Sequence, residues 1–94
     1  MFVVYGTFVK PSSVNGCLTL ADHAIREQGM AIVKPADGVD YLVVGGTGAV
    51  TLTIVAVPQP NGTWMVVSAS SNDEGLAVQA RDVIRGMIEG TAVA

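Results

Sequence analysis

The sequence predicts an α+β fold: a two-layer sandwich in the order β-α-β-β-β-β-α, with a mostly antiparallel meander sheet and two helices packed on one face. Three observations predict it. Short segments rich in Val, Ile, Thr and aromatic residues recur along the chain; glycine-containing turns separate them; and the last third carries a clear helical period.

Residues 2–9, Phe-Val-Val-Tyr-Gly-Thr-Phe-Val, are β-branched and aromatic and stop at Lys10-Pro11, which predicts a first strand. Pro11 to Gly16 reads as a loop. Thr19 and Asp22 resemble a capping box, and Leu20, Ala21, Ala24, Ile25 and Gln28 share one side of a helix over 19–29 that Gly29 ends. Three turn signals follow: Ala36-Asp37-Gly38, Gly45-Gly46-Thr47-Gly48 and Pro60-Asn61-Gly62. They divide four predicted strands, Met30 to Lys34, Val39 to Val44, Ala49 to Val57 and Thr63 to Ala69. At the last turn, a two-residue Asn61-Gly62 loop would set Ile54 opposite Ala69. A type I turn led by Pro60, with Gly62 as a bulge, would shift that pairing by one. Ser71 and Glu74 are spaced as a capping box for the final helix, whose apolar stripe is Leu76, Ala80, Val83, Ile84 and Met87 and whose stop is Gly90.

With 94 residues the chain is read as a single domain spanning 1–94, since one core of this size leaves no chain for another. Charged residues make up 14% of it, against about 25% in ordinary soluble domains. The net charge of −3 and five scattered Lys and Arg argue against a nucleic-acid partner, because phosphate binding needs clustered cations. No apolar stretch approaches the ~20 residues that cross a bilayer, and no basic segment precedes the first apolar run, so neither membrane insertion nor secretion is expected. Cys17 is the one cysteine and has no internal disulfide partner, which points to a reducing, cytoplasmic setting.

Motifs for chemistry are weak. Leu42 to Gly48 looks like a strand and glycine turn of a dinucleotide fold, but the strongly β-forming Thr51 to Val55 follows where that motif requires a helix, so a hairpin is expected. Cys17 and His23 outline a thiolate and a base without an orienting third group, so a packed thiol and a surface histidine are the expected roles. A metal site would need carboxylates to complete its shell. Asp37 and Asp40 flank a turn, and Asp73 and Glu74 open a helix, where negative charge complements the dipole. Asn61-Gly62-Thr63 matches a glycosylation acceptor but reads as a turn without a secretory route. No catalytic set, metal or cofactor is predicted.

The informative stretch is Tyr41 to Asn72, 32 consecutive residues without Asp, Glu, Lys, Arg or His. It covers three predicted strands. In Ala49 to Val57, Val50, Leu52, Ile54 and Ala56 share one face while Thr51, Thr53, Val55 and Val57 share the other, so both faces are expected to be largely apolar. Two helices cover one face; the second must meet water, a ligand or another subunit. The sequence therefore predicts a non-enzymatic binding module that self-associates through its uncharged sheet, most simply as a homodimer. Tyr5, Tyr41, Val55, Val57, Trp64 and Val66 are the candidate interface or ligand-binding residues. Two alternatives are a small apolar ligand held between sheet and helices or at a subunit boundary, and a small enzyme using Cys17 with His23.

Overall fold

The structure, a computed structural model, describes residues 1–37 and 39–91. Its elements are β1 (Phe2–Lys10), α1 (Val14–Glu27), β2 (Ala31–Lys34), β3 (Leu42–Gly46), β4 (Val50–Gln59), β5 (Gly62–Ser71) and α2 (Glu74–Gly90). The predicted α+β order is the order observed. Five strands form one antiparallel sheet, β1-β5-β4-β3-β2. The four later strands make the expected meander, and β1 closes the far side against β5.

Period-two alternation decides which face the helices cover. Val50, Leu52, Ile54 and Ala56 of β4, Met65, Val67 and Ala69 of β5, Val43 of β3 and Phe8 of β1 are buried. They meet Leu18, Ala21 and Ile25 of α1 and Ala77, Ala80, Ile84 and Ile88 of α2. α1 lies over β3 and β4, while α2 lies over β1 and β5. Gly45 lets α1 settle: a Cβ there would stand 2.9 Å from Ile25 Cγ2 and 2.7 Å from the Ala31 carbonyl oxygen.

Several boundaries differ from the sequence reading. α1 starts at Val14, because Ser13 is the cap and its hydroxyl accepts from Gly16 N. Thr19 and Asp22 are consequently inside the helix: Thr19 donates to the Asn15 carbonyl and Asp22 pairs with Arg26 at 2.6 Å. α2 is capped by Asp73, which accepts from Leu76 N, and Ser71 accepts from Asp73 N. Its core stripe is narrower than the period implied, since Leu76 and Val83 stay 40% and 37% exposed. β3 begins at Leu42, because the Asp37 carboxylate accepts from the Val39 and Asp40 amides and holds the chain in a turn. Gly38, in the predicted turn, lies outside the described residues.

The β4–β5 hairpin takes neither predicted register. Gln59 pairs with Gly62, so Pro60 and Asn61 form the turn and Ile54 lies opposite Val67, two residues from the Asn61-Gly62 reading. Proline suits the first corner because its φ is preset there. Gly62 stays in the ladder at φ 154°, where a Cβ would sit 2.4 Å from the Lys10 carbonyl oxygen. A two-residue shift preserves parity, so the face assignments survive.

Candidate functional site: the uncharged open face of the sheet

Strand pairing arranges the uncovered side chains in rows. Val9, Trp64 and Val57 form the first row, beside the Pro60 turn. Thr7, Val66, Val55 and Leu42 form the second. Then come Tyr5, Ser68, Thr53 and Val44, and finally Val3, Ser70, Thr51 and Gly46. β1, β5, β4 and β3 place no Asp, Glu, Lys, Arg or His on this face. Trp64 is 40% exposed, Val9 63% and Tyr5 69%.

The face is graded: its first two rows are almost wholly apolar, and the last two carry the hydroxyls of Ser68, Thr53, Ser70 and Thr51. The sequence expectation of a largely apolar second face therefore holds for the half nearest the Pro60 turn. The other half is polar but uncharged. Charge is confined to the margin at β2, where Lys34 lies 3.4 Å from Asp37 and 3.8 Å from Asp40. Hydrogen bonds from Val39 N and Asp40 N hold the Asp37 carboxyl below the usual range, helped by Lys34.

Of the six residues singled out from sequence, Tyr5, Val55, Val57, Trp64 and Val66 share this face. Tyr41 does not. Its carbonyl accepts from Ala56 N, and Ala56 is a helix-side position, so Tyr41 continues the ladder with the opposite parity. Sequence reasoning missed Val3, Val9, Leu42 and Val44. Alternation in Phe2 to Lys10 was the available signal for the first two, but it identifies a face only once β5 is known to be the neighbour.

The two free edges of the sheet are both obstructed. On β1, Arg81 Nη1 donates to the Tyr5 carbonyl (3.4 Å) and Arg85 Nη2 to the Thr7 carbonyl (3.2 Å). These carbonyls alternate with those facing β5, so the arginines occupy acceptors along the outer side of the strand. Gly6 makes room, since a Cβ there would lie 3.0 Å from Arg85 Cδ. Arg85 also stands 5.4 Å above the Phe8 ring. At the other edge β2 has four residues and a register shift between Ile32 and Lys34. Short strands, bulges and edge cations each discourage strand addition.

Cys17 and His23 are not brought together. Cys17 is fully buried in α1, and burial pushes its thiol up; hydrogen bonding to Thr63 and the Lys10 charge oppose this only in part. His23 projects into solvent and lies 3.3 Å from Glu27. The glycine segment closes the β3–β4 hairpin, with Thr47 N donating to the Val50 carbonyl. Among the described residues no three His, Cys, Asp or Glu converge as a metal-ligand set, and no helix is long and apolar enough to cross a membrane. No protein-family model matches the chain, and no curated protein matches it.

Proposed function

We propose that the protein is a non-enzymatic interaction module that forms a homodimer by stacking the uncharged sheet faces of two copies. The observation that carries this is a four-strand surface with no charged side chain and with Trp64, Val66, Val55 and Val57 contiguous near one end. Strands ~4.8 Å apart and rising ~3.4 Å per residue give the four-stranded uncharged face a footprint on the order of 450 Å². Two such faces withdraw roughly 900 Å², more than the ~800 Å² below which most incidental contacts fall and at the small end of specific interfaces. Obstructed edges favour stacking over strand addition.

The grading of the face favours one orientation. A twofold axis running along the strands between β4 and β5 lays apolar rows on apolar rows, with β5 of one copy over β4 of the other. Aligned sheets pack in this manner ~10 Å apart, offset by about 30°. An axis across the strands would instead set Trp64 against hydroxyl rows.

Sedimentation equilibrium across a concentration series tests the reading. A dimer is expected at tens of micromolar, and Trp64→Lys should raise the dissociation constant at least a hundredfold, since it buries an unpaired charge. A wild-type chain that remains monomeric at that concentration overturns the proposal.

A further inference from the structure

We infer a second binding site, independent of the sheet stack: a groove beside α2 that takes a small, neutral, mainly apolar molecule with a hydrogen-bond acceptor. The groove has a volume of about 240 Å³ and lies between the N-terminal half of α2, the end of α1, the start of β2 and the β3–β4 hairpin. Val50, Ala80 and Ile84 form its buried floor, and Leu76 and Val83 of α2 form a wall.

That wall is the first reason to read the groove as a site. α2 satisfies the sheet with Ala77, Ala80, Ile84 and Ile88. Leu76 and Val83 widen the apolar stripe beyond what the sheet covers, and both open onto this groove rather than onto scattered surface. The second reason is the polar complement. Gln28, Gln79 and Thr47 are the polar lining residues, and no ionisable side chain joins them. Thr47 Oγ1 accepts from Ala49 N and Val50 N, at 3.0 and 3.2 Å. Those bonds fix the oxygen and leave its proton as a donor held in place before any ligand arrives. The Gln79 amide makes no side-chain hydrogen bond among the described residues. An apolar enclosure with a few placed polar groups is the usual composition of a small-molecule site.

Chemistry and size then define the occupant. A charged molecule would lose hydration without gaining a counter-charge, so the lining selects neutral ligands. At ~30 Å³ for each water displaced, the volume accommodates on the order of ten non-hydrogen atoms.

Amide chemical-shift titration of the full chain with benzyl alcohol is the test, with benzoate and benzylamine as charged molecules of the same body. We expect saturable shifts at Thr47, Leu76, Gln79 and Val83, with a dissociation constant of about 1 mM or below. The two charged analogues should bind at least tenfold more weakly. Val83→Lys and Leu76→Gln, both at partly exposed positions that leave the core intact, should each weaken benzyl alcohol at least fivefold. Absence of saturation overturns the inference; so do equal binding of benzoate or benzylamine, and shifts centred on Trp64. Loss of saturation at the groove leaves the dimer untouched, because sedimentation reads the sheet stack separately.

Discussion

Gly45 measures how closely α1 approaches the sheet. With 2.7 Å between a would-be Cβ and the Ala31 carbonyl oxygen, Gly45→Ala must displace backbone, and a loss of about 1 to 3 kcal/mol is expected as a lower urea midpoint. Gly48→Ala, with nothing within 4 Å, should stay within about 0.5 kcal/mol of the parent. Cys17 gives a pH signature. Its folded thiol holds its proton above the unfolded value, so the stability this contributes is complete below the ordinary thiol range and is lost as pH rises through the folded pKa. The urea midpoint should therefore fall above about pH 9, and that part of the fall should vanish in Cys17→Ala. The same burial predicts that native Cys17 reacts with iodoacetamide far more slowly than the denatured chain does.

Ser13 and Thr19 separate two starts for α1. Ser13→Ala removes the hydroxyl that receives Gly16 N and should cost about 1 kcal/mol, whereas Thr19→Ala should be nearly neutral; thermal melts of the two variants decide. Strand and helix order was legible because turn glycines and period changes are local signals. Helix starts were not, because Ser13 and Thr19 are equally plausible caps until the burial of Cys17 and Leu18 shows that the preceding turn is already helical. The apolar stripe of α2 misled in a related way: period reports that Leu76 and Val83 share a side with Ala80, but the width that a sheet covers is set by the strands beneath. Arg81 and Arg85 extend the element's role beyond packing. Replacing both with Ser should free the outer carbonyls of β1 and promote strand addition, read as concentration-dependent light scattering and thioflavin fluorescence absent from the parent.

Across the molecule, most of the candidate surface was legible from one fact, the uncharged run from Tyr41 to Asn72, since no register of those strands brings a charge to the open face. The extent of the surface was not legible, because β1 contributes Val3, Tyr5, Thr7 and Val9 only by pairing with a strand far along the chain. Tyr41 lies off this face, since parity follows its ladder partner Ala56 and not composition. That long-range pairing also governs biosynthesis. Phe2 finds Ser71 and Lys10 finds Thr63, so β1 leaves the ribosome some sixty residues before its neighbour exists. At 5 to 20 residues per second the wait is roughly 3 to 12 s. During it, Val4 and Phe8, which the folded sheet buries in part or wholly, have no covering partner, so the nascent β1 exposes extended apolar chain for the whole of the wait.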